Sequence, residues 1–78
     1  MSEELDVKRV VGERITHARG YNRMTQGDLA RRLGVTVQTI SNWEHGRRMP
    51  DADALRRLCV TLAVSSDWLL GLSPRMER

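Results

Sequence analysis

The stretch Gln26-Gly-Asp-Leu-Ala-Arg-Arg-Leu-Gly-Val-Thr-Val-Gln-Thr-Ile-Ser-Asn-Trp-Glu44 decides how this chain folds. Thr25, immediately before it, offers a hydroxyl N-cap three residues ahead of Asp28, a capping-box-like spacing that opens a helix over 26–33. Gly34 stops that helix, and Thr36 caps a second one over 37–44. Two short helices joined by so brief a turn cross steeply and must approach each other closely. Ala30 is small where the approach is closest, and Gly34 can take the positive φ that the turn demands. Leu29, Leu33, Val35, Ile40 and Trp43 fall on an interior face. Thr36, Val37, Gln38, Thr39, Ser41 and Asn42 are left on the outer side of the second helix.

Upstream, Val7, Val11, Ile15 and Ala18 share one face at helical spacing and predict a helix over 7–19, ending near Gly20 to Asn22. Downstream, Gly46 and Pro50 mark a loop, and Asp51 starts a helix whose Leu55, Leu58, Cys59 and Leu62 form an apolar stripe. Ser65 starts a last short piece, Ser66-Asp-Trp-Leu-Leu70, before a break at Gly71. There is no strand pattern, internal repeat or linker. The expected organisation is an N-terminal tail over 1–6, one all-α domain of five helices over 7–72, and a frayed C-terminal tail over 73–78. Leu70, Leu72 and Met76 exceed what one small core needs, and read either as a dimer patch or as part of the frayed tail.

A chain of 78 residues buries one compact core and leaves no room for a deep active-site cleft. With 40% apolar and 29% charged residues the balance is globular, neither disordered nor membrane-embedded. No apolar run approaches the roughly 20 residues needed to span a bilayer. The start, Met1-Ser-Glu-Glu-Leu-Asp6, has no basic leader pattern, so a cytoplasmic location is expected. The single cysteine, Cys59, falls in an apolar stripe and reads as a small buried hydrophobe. His17 and His45 stand far apart with no cysteine or carboxylate at ligand spacing, so neither metal nor other cofactor is expected. The absence of a nucleophile-base pair or a phosphate-binding glycine loop argues against an enzyme.

The net charge of +3 is modest, but between Arg19 and Arg48 six arginines stand against Asp28 and Glu44 alone. A charge excess confined to the middle of the chain suits a polyanionic partner. The outer face of the 37–44 helix is neutral, where a merely solvated face would carry Lys and Glu pairs. Amides contact adenine bidentately, hydroxyls donate or accept, and an aliphatic group can meet a thymine methyl, so this face suits the base edges of double-stranded DNA. The chain's three aromatics, Tyr21, Trp43 and Trp68, are too few for a single-strand stacking platform, and both tryptophans are expected in the core. The acidic start, with Glu3, Glu4 and Asp6, argues against a groove-binding arm. Arg31 and Arg32 read as solvated charges in preference to phosphate contacts.

The combined pattern resembles the phage-repressor and Cro-like helix-turn-helix family, often called the XRE family. The match runs through Val11-Gly-Glu-Arg-Ile15, Met24-Thr-Gln26, Leu29-Ala30, Leu33-Gly34-Val35, Ile40-Ser-Asn-Trp-Glu44, Gly46, Pro50 and Asp67-Trp-Leu-Leu70. The resemblance implies a compact five-helix, lambda-repressor-like domain in which the second and third helices are the reading unit. It also implies a homodimer on a pseudo-palindromic operator, with half-sites about one helical turn apart. By the same resemblance Val37, Gln38, Thr39 and Asn42 are groove-facing, base-contacting positions, with Gln38 the one that most often meets a base. Gln26 reaches a phosphate and braces the reading helix. Thr36, His45 and Arg47 lie close to the phosphate backbone, and Arg19 and Glu44 form an internal ion pair; Thr25 and Arg48, beside these positions, are expected phosphate contacts as well. The chain departs from the family at Arg23, where many members have glycine. Asn22 is then expected to supply the left-handed residue, leaving Arg23 as a phosphate contact or a solvated loop charge.

The leading expectation is therefore a transcriptional regulator, a repressor in sign. The competing one is a protein-interaction module, the antitoxin or adaptor half of a pair, which would show a large apolar patch in place of a neutral face flanked by Arg47 and Arg48. These 78 residues hold no effector domain. Control by concentration, by a regulatory protein partner or by proteolysis is expected over control by a small ligand.

Overall fold

The computed structural model of the chain describes residues 6–77; Glu3 and Glu4, and with them most of the expected N-terminal tail, lie outside the described residues. Five helices follow one another: α1 (Val7–Tyr21), α2 (Gln26–Leu33), α3 (Val37–Glu44), α4 (Ala52–Leu62) and α5 (Ser66–Leu69). No strand occurs among the described residues, and none of their helices is long and apolar enough to cross a membrane.

Each helix opens in the same way. The side chains of Asp6, Thr25, Thr36, Asp51 and Ser65 accept a hydrogen bond from the backbone N–H three residues on, satisfying one of the donors a helix start leaves orphaned. At Thr25 the box is reciprocal, because the Asp28 carboxylate accepts from the Thr25 backbone N–H at 2.9 Å. That bond is the largest of the causes that hold the Asp28 carboxyl below the usual carboxylate range.

The helices also close alike. Residues 23, 34, 46, 63 and 71 take positive φ, and in each case that residue and the next donate back to the last turn. Gly34 supplies this conformation between α2 and α3, as its position in the turn requires. After α1 the left-handed residue is Arg23, at φ 58°, and not Asn22, whose φ is −87°. The sequence expectation is corrected here because α1 runs on to Tyr21, two residues further than its apolar face predicts, which makes Asn22 the cap and Arg23 the turn. Asn22 is used otherwise: its amide donates to the carbonyls of Ala18 and Leu62 and ties the ends of α1 and α4 together.

All five helices contribute to one core, with Ile15, Leu29, Ile40, Leu58 and Leu69 fully buried at its centre. Trp43, Trp68 and Cys59 are buried in it, while Val35 and Leu55 pack at its margin. Val7, expected on the inner face, is 41% exposed because the core reaches α1 only from Val11 onward. Residues 73–77, expected as a frayed tail, are tied to the domain by hydrogen bonds. Arg14 lies over the Trp68 ring and donates to the carbonyls of Trp68 and Ser73, while Ser65 N–H donates to the Met76 carbonyl at 2.8 Å. Leu70 and Met76 therefore pack against the core, and of the three surplus apolar residues Leu72 alone stays open, at 72% exposure.

One contact sets how closely α1 meets α3. A Cβ on Gly12 would fall 2.6 Å from the carbonyl oxygen of Glu44, and closer still to that of Trp43. Both obstacles are backbone and cannot swing aside. Gly12→Ala should therefore destabilise the protein by about 1–3 kcal/mol in urea unfolding, despite the roughly 1 kcal/mol that alanine gains in helix propensity; a neutral or stabilising effect would refute the close approach. The opposite sign is expected for Ala63→Gly. Ala63 holds φ 59° in the turn after α4, so glycine should raise stability by up to about 1 kcal/mol, and a fall in melting temperature would contradict left-handed strain there.

Candidate nucleic-acid interface

α3 has eight residues, too few to be stable alone, so its position is dictated by what it packs on. Ile40 and Trp43 fix its inner side, and its C-terminal end is held by a buried charge. The Glu44 carboxylate accepts from Arg19 Nε at 2.7 Å, Arg19 Nη2 at 3.2 Å and Gln26 Nε2 at 2.8 Å. Arg19 Nη1 also donates to the Met24 carbonyl at 2.9 Å. One carboxylate thus joins α1, the α1–α2 turn, α2 and α3, and only 4% of its side chain is exposed. The ion pair read at Arg19 and Glu44 is present, and Gln26 braces α3 through the same group. One N–H of the Gln26 amide remains for another acceptor. On the other side, the Arg57 guanidinium donates to the Leu33 carbonyl and anchors the end of α2 to α4.

What this support presents is a polar face of low charge. Val37 is 47% exposed at the start of α3. Gln38 is exposed, while Thr39, Ser41 and Asn42 are half-buried along the same helix. Thr36 Oγ1 caps α3 at 3.1 Å from Thr39 N and meets the Thr39 hydroxyl at 3.0 Å. Gln38 donates to Asn42 Oδ1, and Arg47 donates to the same oxygen. His45 Nδ1 lies 2.9 Å from the Ser41 carbonyl and 3.3 Å from the Ser41 hydroxyl, which ties the ring back to α3. Arg48, Thr39, Asn42 and Trp43 line an open groove of about 460 Å³ between α3 and the start of α4.

The residues read from the sequence as one surface thus come from three segments. Thr25 and Gln26 stand at the start of α2, residues 36–42 on α3, and His45, Arg47 and Arg48 in the loop after it. The structure joins Gln38, Asn42 and Arg47 into one hydrogen-bonded set, and Thr36 with Thr39 into another. Arg23 is exposed in the α1–α2 turn, apart from both sets. Gly12 and Arg14 are supporting residues to which the sequence reading gives no role, and Asn22 supports the fold in a different way from the one expected. The signal for Gly12 is a glycine inside a helical pattern, which costs about 1 kcal/mol and calls for a packing reason.

A helix-turn-helix family model matches residues 19–69, which include the Arg19–Glu44 pair and all of α2 and α3. The chain belongs to the phage-repressor and Cro-like helix-turn-helix family of DNA-binding regulators. Among solved structures, the P22 c2 repressor, crystallised in complex with a synthetic operator, is similar at 33% identity and TM-score 0.76, over 81% of this chain and 96% of its own. A hypothetical transcription factor from Neisseria is similar at 23% identity and TM-score 0.78, over 90% and 83% of the two chains. The clp gene regulator ClgR of Corynebacterium glutamicum is similar at 24% identity and TM-score 0.80, over 91% and 74%. These last two show the fold. No curated protein matches the sequence.

Removing the Glu44 carboxylate would strand the Arg19 guanidinium, whose side chain is only 19% exposed. Glu44→Ala should cost about 3–5 kcal/mol in denaturant unfolding, as expected when one partner of a buried pair is lost. Glu13→Ala, in a pair exposed on both sides, should cost less than about 1 kcal/mol. Equal losses for the two variants would show that burial gives the Glu44 network no special weight.

Proposed function

We propose that this protein is a sequence-specific double-stranded DNA-binding transcriptional regulator, a repressor that acts in the cytoplasm as a homodimer on a pseudo-palindromic operator. The binding unit is residues 7–72, and α3 lies in the major groove. Val37, Gln38, Thr39 and Asn42 meet base edges there. Thr25, Gln26, Thr36, His45, Arg47, Arg48 and Arg23 contact phosphates on either side. The carrying observation is a neutral face of amides, hydroxyls and one valine, flanked by exposed arginines and held from behind by a buried carboxylate. The division suits DNA, because arginines supply affinity for any duplex while amides and small groups distinguish base pairs. The P22 c2 repressor complex with a synthetic operator supports the same mode of binding.

Selection from a random duplex library tests this directly. The enriched sites should be two-fold symmetric, with half-sites about 34 Å apart along the helix axis. Failure to enrich any duplex at low ionic strength would remove the assignment. On the selected duplex Gln38→Ala should cost about 1–3 kcal/mol and relax preference at one base pair per half-site, and an equal loss on every sequence would contradict base reading. Arg48→Ala should weaken all duplexes alike and lower the slope of log affinity against log salt by about one, and an unchanged slope would exclude Arg48 from the phosphate contacts.

A further inference from the structure

The chain of hydrogen bonds on the α3 face has a direction, and one residue sets it. Arg47 Nη1, from the loop after α3, donates to Asn42 Oδ1 at 3.3 Å. A guanidinium carries donors only, so the Asn42 atom that meets it is the carbonyl oxygen and never the amide nitrogen. Gln38 Nε2 donates to the same oxygen at 3.0 Å, which occupies both of its lone pairs. With the oxygen of Asn42 turned to the arginine, only the NH₂ side of the Gln38 amide can meet it. The N–H of Gln38 that lies trans to its carbonyl can make this bond, which leaves the other N–H beside Oε1. Adenine presents the complement in the major groove, a donor at N6 beside an acceptor at N7. Guanine presents two acceptors, O6 and N7, and the held amide can satisfy only one of them. Left alone, the terminal torsion of glutamine is broad and roughly two-fold, so the amide could turn its NH₂ toward either purine.

We propose that Arg47 is a positioning residue for base readout, fixing the Gln38 amide through Asn42 Oδ1 in the orientation that selects adenine over guanine. The inference rests on the DNA-reading function proposed above and adds to it the base that Gln38 reads and the residue that orients it. The remaining N–H groups of Arg47 stay available to a phosphate, so the residue contributes to affinity and to discrimination together. These contributions separate experimentally, because a phosphate contact weakens all sequences alike.

The test uses the duplex that the wild-type protein selects, and a second duplex with guanine at the position whose preference Gln38→Ala relaxes. Both are titrated by fluorescence anisotropy with the wild type, Arg47→Ala, Gln38→Ala and the double variant. Arg47 is exposed, so each Arg47→Ala protein should unfold at the temperature of its parent. Arg47→Ala is expected to lower the adenine-over-guanine affinity ratio on the order of fivefold, and to leave the ratio unchanged when Gln38 is already alanine. An equal loss on both duplexes overturns the positioning role and leaves Arg47 as a phosphate contact. A selected base other than adenine opposite Gln38 overturns it as well. If the wild type selects no duplex at all, the proposed function itself fails, and this inference falls with it.

Discussion

Glu44 ends α3 with a negative charge where the helix dipole is already negative, and its side chain is almost wholly removed from water. Alone, that carboxylate would destabilise the helix it belongs to. It becomes an anchor because three N–H groups from two other helices converge on it, two from Arg19 and one from Gln26. A charge-assisted fork of this kind has little angular freedom, so it sets the rotation of α3 about its own axis as well as its distance from α1. The close approach at Gly12 works on the same end of the same helix: the backbone of α1 can come to the Trp43 and Glu44 carbonyls only because no side chain intervenes. Rotation and depth are thus fixed at the C-terminal end of α3. Which residues of its outer face are presented follows from that.

Short helices make this anchoring necessary. α2 and α3 have eight residues each and α5 has four, lengths at which a free helix barely forms. Local chemistry offsets part of the deficit, since every helix has a side-chain N-cap and a left-handed closing turn. The remainder comes from the shared core. Arg23 and Ala63 accept a left-handed backbone without being glycine, which shows the pattern of closure to be stronger than the preference of the residue that performs it. At both positions the following residue, Met24 or Val64, donates back to the preceding helix and packs on or into the core. Two backbone bonds and an apolar anchor hold a conformation that the side chain itself disfavours.

The features legible in the sequence are those written within a few residues of each other. The caps at Thr25, Thr36, Asp51 and Ser65, the stop at Gly34, and the inward placement of Leu29, Ile40 and Trp43 all follow from local spacing. The Arg19–Glu44 pair lies 25 residues apart and was legible only through resemblance to a family in which the two positions meet. What stayed hidden depends on where one chain segment lands on another. Nothing near Asn22 in sequence reveals that the Leu62 carbonyl waits for its amide, so the choice between Asn22 and Arg23 as the turning residue could not be made locally. The docking of 73–77 is of the same kind, because it needs Arg14 from α1 and Ser65 from before α5 in place. The identities of the face residues were legible, but their mutual orientation was not. Val37, Gln38, Thr39 and Asn42 can be named from a list of exposed positions, whereas the link from Arg47 through Asn42 to Gln38 needs the path of the loop.

The outer and inner residues of α3 are interleaved along the chain yet almost separate in energy. Ile40, Trp43 and Glu44 carry the packing and the buried charge, while Val37, Gln38 and Asn42 make no contribution to the core. A change on the outer side therefore leaves the position of the helix intact, and a change on the inner side moves every outer residue together. This separation allows one scaffold to present different sets of amides and small side chains without refolding. The exception is Asn42, whose oxygen is shared by Gln38 on the face and Arg47 in the loop. Residues whose roles are otherwise independent are coupled at that oxygen, so exchange of any one of the three alters what the other two can present.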